Sequence, residues 1–186
     1  MISRALLSKY GDTADRLVAT SYPDAVPASC SDIDAIAGQM AAFLAGEDIR
    51  FCLDLARLDL CTEFQRRVLC AEHGIPRGRV STYGRIAGHL GKAQAARAVG
   101  TALANNPFPL IIPCHRAIRS DGRLGGFQGG FDMKRLLLEM EDVSLNSHGK
   151  VVGKEFFFYG PVKRSLNHPL PTEARSRLRH AGEPDR

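Results

Sequence analysis

The apolar run PFPLIIP, residues 107–113, is among the longest in the chain, and proline opens, interrupts and closes it. A membrane-spanning helix needs about 20 consecutive apolar residues, so a run of this length excludes one here. Proline fixes φ and removes a backbone donor, which bars a helix through this stretch and leaves a short buried strand as the reading. The run ends directly on Cys114, which sits between Pro113 and the pair His115-Arg116. A thiol placed at the end of a buried segment, beside a base and a cation, is a candidate nucleophile.

The chain has 186 residues, enough for one domain or two small ones with a buried core. At 44% hydrophobic and 24% charged residues it has the composition of an ordinary globular protein. The N-terminal stretch MISRALLSKYGDTADR is too short in apolar residues for a secretory signal, so a cytoplasmic address and no membrane partner are expected. The five cysteines, at 30, 52, 61, 70 and 114, are then expected as reduced thiols. Cys52, Cys61, Cys70 and His73 could be imagined around zinc, but there is no CxxC pair. No metal is expected, and the four cysteines other than Cys114 read as small buried hydrophobes. Net charge is +5, a mild excess that suits a polyanionic partner without requiring one.

Residues 31–47, SDIDAIAGQMAAFLAGE, carry apolar side chains at helical spacing, with Ser31 or Asp32 to cap the start and Gly46 to end it. Phe51, Leu53 and Leu55 then alternate, predicting a strand with a bulge near Arg57 and a domain boundary close to Leu60. Thr62 with Gln65 signals the capped start of a helix carrying Phe64, Val68 and Leu69, closed by Gly74 and Pro76. Two further helices, TYGRIAGHL and QAARAVGTALANN, joined by a tight Gly-containing turn, suggest a helix-turn-helix. After the Cys114 stretch come a turn at Asp121-Gly122 and the loop GRLGGFQGG, which lacks the residues of a phosphate-binding loop. A helix follows over roughly 132–142, then a β-rich piece, KVVGKEFFFYG. The polar, arginine-rich tail from 161 to 186 is expected to be disordered.

A cysteine works as a thiolate, so Cys114 needs a base. His115 is adjacent, but neighbouring side chains diverge, and a bend or a bridging water is needed to join them. An acid from the following helix, Glu139 or Glu141, could orient the imidazole.

The ordered set FQRRVL, GRVSTYGRIAG, RAVGTALANNP, IPCHRAI, GGFQGG and KRLLLEME resembles the O6-alkylguanine-DNA alkyltransferase family, the methylated-DNA–protein-cysteine methyltransferases. The resemblance spans about residues 35–145 and is strongest from 62 to 141. It implies an α/β (α+β) protein: a small ribonuclease-H-like N-terminal α/β domain over 1–60, and a mostly helical, winged-helix-like domain with a helix-turn-helix over 61–160. The implied activity is DNA repair by direct reversal, an irreversible, single-turnover transfer of the alkyl group from O6-alkylguanine to Cys114 with no cofactor. The implied partner is double-stranded DNA carrying that lesion, met by a monomer.

The same resemblance gives His115 the role of base through a water, Glu141 that of its orienting acid, and Asn106 that of a brace for the cysteine segment. Tyr83 would donate to the flipped guanine. Arg97 would enter the stack that the base leaves, and Arg116 would also contact DNA. The carbonyls of Cys114 and Ala117, the N–H of Gln128, Phe127 and Lys134 would form the substrate pocket. The chain departs from the family at Phe127, where many relatives carry tyrosine, and at Gln128, where a small residue is common. Residues 1–30 match nothing in it. Two other functions fit parts of the pattern: a lesion sensor, whose members lack the acceptor cysteine, and a Cys114–His115–Glu141 hydrolase, which would need an oxyanion hole.

Overall fold

The structure, a computed structural model, describes residues 1–8, 11–153 and 155–160. Its elements run α1 (Ala14–Ser21), α2 (Ser31–Leu44), α3 (Glu63–His73), β1 (Ser81–Thr82), α4 (Tyr83–His89), α5 (Ala96–Ala104), β2 (Ala117–Ile118) and α6 (Gly130–Met140). β1 and β2 pair in parallel, Ser81 against Ala117 and Thr82 against Ile118. The architecture is thus mixed, helices around a very small sheet.

Helix starts follow local chemistry. Thr62 caps α3 by accepting from the Gln65 N–H at 3.3 Å, and Thr82 caps α4 by accepting from the Arg85 N–H at 3.2 Å. α2 runs where its periodicity places it, but its cap position is Cys30, with no side-chain hydrogen bond; Ser31 is already helical. α4 and α5 pack together and onto α3, and Val99, Ala102 and Leu103 form the buried face of α5. One continuous core joins Phe43 of α2 and Phe51 to Val68, Leu69, Ile86, Val99, Leu103, Phe108, Ile112, Cys114 and Leu137. A second cluster, Val80, Ile118, Leu124, Leu138, Val143 and Val151, fills the space around the sheet.

Three elements depart from sequence expectation. The strand expected at 51–55 is absent: Leu53–Leu55 and Leu58–Leu60 are two short 3₁₀ turns. The pairing available there is one bridge, Ile2 with Ala56, so alternation of apolar residues had no sheet to join. Among the described residues, no named strand precedes Ser81. The PLIIP segment is a buried turn, with the Ile112 N–H donating to Phe108 O at 2.9 Å and Leu110 at φ 71°. Prolines at both ends remove the donors a ladder would use, and the left-handed leucine reverses the chain into the site. Finally, the β-rich piece makes isolated bridges: Leu145 with Val151, Arg123 with Lys150, and Val80 with Phe156. The expected tail, 161–186, lies outside the described residues.

The cysteines also differ from expectation. Cys30, Cys52 and Cys70 are exposed and Cys61 is half-buried, so Cys114 is the one buried cysteine (all five are described). The apolar neighbours that suggested burial of the others belong to helix faces and turns on which those thiols point outward.

Candidate functional site

Cys114–Arg116 forms a single 3₁₀ turn leading into β2, and all three residues are buried. That turn separates the side chains of neighbouring residues. Cys114 Sγ accepts a hydrogen bond from Asn106 Nδ2 at 3.3 Å. The same amide donates to Ile112 O at 3.1 Å, and Asn106 Oδ1 accepts from the Phe108 N–H at 2.9 Å. Asn106 is fully buried, so its amide fixes both ends of the turn that presents the sulfur.

His115 turns the other way. Its Nε2 lies 2.9 Å from Glu141 Oε1, and both side chains are inaccessible to solvent. Arg116 holds the same carboxylate, donating from Nε to Oε2 at 2.9 Å and from Nη2 to Oε1 at 2.8 Å, and its Nη1 donates to Ile75 O at 2.6 Å. Burial pushes the Glu141 carboxyl up, but the hydrogen bonds and charges of His115 and Arg116 win and hold it at about 2. Burial keeps His115 below its ordinary value, opposed by Glu141. A neutral imidazole beside an ionised carboxylate carries its proton on Nε2, leaving the Nδ1 lone pair free. Nδ1 is buried and makes no hydrogen bond among the described residues. Glu139, the other candidate acid, pairs instead with Arg135 at 2.9 Å on the surface.

The resting thiol is a protonated one. Burial pushes Cys114 up to about 11, with the Asn106 hydrogen bond and Lys134 opposing and Glu72 adding to the rise. The base that the sequence called for is therefore needed to take the thiol's proton during the reaction.

Around the sulfur, Tyr83 opens α4 and packs beside Cys114. Burial raises its phenol to about 12, so it stays a donor at neutral pH. Its hydroxyl crosses to Gly125, where an added Cβ would lie 2.6 Å from the oxygen; with φ at 71°, that position requires glycine on both counts. Phe127 stands edge-on to His115, ring centroids 6.2 Å apart. A Cβ on Gly129 would collide with Met133 Sδ, so glycine there lets the loop close onto α6. Lys134 is fully buried, and its Nζ donates to Ala117 O at 2.6 Å and Gly126 O at 3.3 Å. The Ala117 carbonyl, expected to line the pocket, is therefore engaged by the lysine. Gln128 turns its side chain away, donating to Asn106 O at 2.7 Å and Ala104 O at 3.2 Å.

Arg97 is exposed on α5, and its guanidinium makes no hydrogen bond or ion pair among the described residues. Arg116 corrects an expectation: assigned from sequence to DNA contact, it is buried and saturated by Glu141 and Ile75 O, so it braces the site from behind. Glu72, on the buried face of α3, was missed. Its position four residues beyond Val68 on an apolar face was the available signal.

Residues 63–143 match the family model described as 6-O-methylguanine DNA methyltransferase, DNA binding domain. A methylated-DNA–protein-cysteine methyltransferase of Methanothermobacter thermautotrophicus is 52% identical over 103 residues, 55% of this chain and 57% of that protein. One from Methanosarcina barkeri is 45% identical over 109 residues, 59% of this chain and 68% of its own length. The crystal structure of Mycobacterium tuberculosis OGT in complex with DNA superposes with a TM-score of 0.54 at 43% identity, covering 59% of this chain and 66% of that one. The chain thus spans somewhat more than half the length of the first of these relatives. Every element that builds the Cys114 site, from α3 through α6, lies within the matched segment, and the chain belongs to the 6-O-methylguanine DNA methyltransferase family.

Proposed function

We propose that the protein repairs O6-alkylguanine in DNA by moving the alkyl group onto Cys114. The observation that carries this reading is the division of labour in one turn: Asn106 holds the sulfur while the Glu141–Arg116 pair holds His115 with Nδ1 free. The Cys114 proton passes to Nδ1 through a water as the sulfur attacks the alkyl carbon. The S–C bond forms, the C–O6 bond breaks, and the electron pair stays with guanine. Tyr83 supplies the hydrogen bond, and ultimately the proton, for that leaving charge. The products are a thioether and intact guanine, and no cofactor takes part.

The substrate must leave the duplex to reach a sulfur only 5% exposed. On this reading Arg97, free on the small-residue helix α5, takes the flipped base's place, with α4 and α5 as a helix-turn-helix in a winged-helix-like catalytic part over 61–160. Residues 1–60 then act as part of the same body and not as the separate ribonuclease-H-like part expected from the sequence, since α2 and Phe51 share the core of Cys114 and no named strand lies among their described residues. The protein acts as a monomer in the cytoplasm. Retention of the acceptor thiol favours repair over lesion sensing.

Intact-mass measurement after mixing with a duplex carrying O6-methylguanine tests this directly. One methyl, about 14 Da, on the peptide holding Cys114 is expected. Binding without a mass change would replace repair by sensing.

A further inference from the structure

α3 buries Glu72 along with Val68, Leu69 and Ala71, on the face packed against the 3₁₀ turn of Cys114. Glu72 is wholly inaccessible; no side chain hydrogen-bonds its carboxyl oxygens among the described residues, and the Ala117 backbone opposes its rise only as a weak hydrogen bond. A charged glutamate in that condition is strongly disfavoured, so its presence needs a reason. The groups that act on it come from every neighbouring element: Lys134 of α6, Arg116 and Cys114 of the turn, Tyr83 of α4, and Tyr159 near the end of the described chain. Lys134 is equally buried; its Nζ donates to Ala117 O at the end of the Cys114 turn and to Gly126 O, and its charge acts on both Glu72 and Cys114. Two buried groups of opposite kind therefore act on one sulfur.

We propose that Glu72 is a positioning residue that governs, through its own proton, how strongly the Lys134 ammonium favours the Cys114 thiolate. This rests on Cys114 being the nucleophile. With Glu72 protonated, the Lys134 ammonium acts on a forming thiolate unopposed by that carboxylate and favours it. With Glu72 ionised, the carboxylate both neutralises Lys134 and repels the thiolate. Burial raises Glu72 to about 8, opposed by Lys134 and Arg116, and burial lowers Lys134 to about 8, opposed by Cys114 and Glu72. The two therefore exchange protons in the same range. As pH rises through that range, the intrinsic gain in thiolate is offset by the loss of the proton that Glu72 held.

The test compares the native chain with Glu72→Gln, which keeps size and polarity and removes the charge. Two rates are followed from pH 6.5 to 9.5: methyl transfer from an O6-methylguanine duplex, and carbamidomethylation of Cys114 by iodoacetamide, located by peptide mass. The rate ratio of variant to native protein should climb with pH, by roughly three- to tenfold across the range, in the iodoacetamide reaction. A ratio flat with pH would reduce Glu72 to packing and overturn the proposal. Should that variant not fold, Glu72→Leu, which also removes the charge and extends the apolar face of α3, takes its place: the same climbing ratio is expected, and a flat one refutes the idea. Iodoacetamide needs no DNA, so absent methyl transfer with a climbing ratio would sink the repair reading and leave Glu72 standing.

Discussion

At the scale of single residues, the site is a set of buried polar groups held by specific partners. His115→Ala removes the Nδ1 base while leaving Asn106 on the sulfur, so methyl transfer should slow by about 100-fold or more with lesion binding largely kept. Single-turnover rates beside binding titrations check this, and a fully active variant would remove His115 from the chemistry. Glu141 carries a second consequence. Its carboxyl is held at about 2 against an ordinary 4.5, so the stability it contributes is complete above 4.5 and is lost as pH falls toward 2. Glu141→Gln should flatten that acid limb of the unfolding curve, and should also destabilise the protein near neutral pH by leaving the Arg116 guanidinium unpaired. Chemical denaturation at several pH values separates the two effects. Cys114 and His115 were legible because they are neighbours in the chain, and Asn106 through the family resemblance. The sequence could not decide whether Arg116 faces DNA or the interior, since that depends on where Glu141 and the Ile75 carbonyl arrive from 25 and 41 residues away.

At the scale of elements, helices with a capping threonine and a periodic face were readable, and short pairings were not. Thr62 caps where expected because the rule is local, and Thr82 obeys the same rule at the start of α4. Alternation at Phe51, Leu53 and Leu55 misled because a strand exists only if another edge accepts it, which is information held elsewhere in the chain. α5 has the clearest elementary task. Among its alanines and glycine, Arg97 is exposed, and its guanidinium has no partner among the described residues. Arg97→Ala should cut methyl transfer from duplex DNA about tenfold or more while leaving transfer from single-stranded oligonucleotide, where no base need be flipped, much less affected. Binding to undamaged duplex should weaken only modestly and stay steeply salt-dependent, since it draws on many phosphate contacts. Equal losses on both substrates would assign Arg97 to phosphate contact alone.

At the scale of the whole molecule, the proposed chemistry uses a nucleophile that the described residues of the site do not regenerate. A thioether on Cys114 is a poor leaving group, and the free base of the turn, His115 Nδ1, on the proposed mechanism already holds the thiol's proton at the end of transfer. The other four cysteines cannot serve as resolving thiols from where they stand: three are exposed and one half-buried, whereas Cys114 is sealed in the core. Guanine released should therefore level off at one per chain, however large the excess of methylated duplex. Cys114→Ser keeps Tyr83, Arg97, Phe127 and Lys134, so it should still capture the lesion while gaining no mass. Quantifying repaired base against protein, with the serine variant as the binding control, decides the matter. Repaired guanine exceeding protein, or methyl found on Cys30, Cys52, Cys61 or Cys70, would show that some group outside this turn completes a cycle, and the single-use mechanism would have to be abandoned.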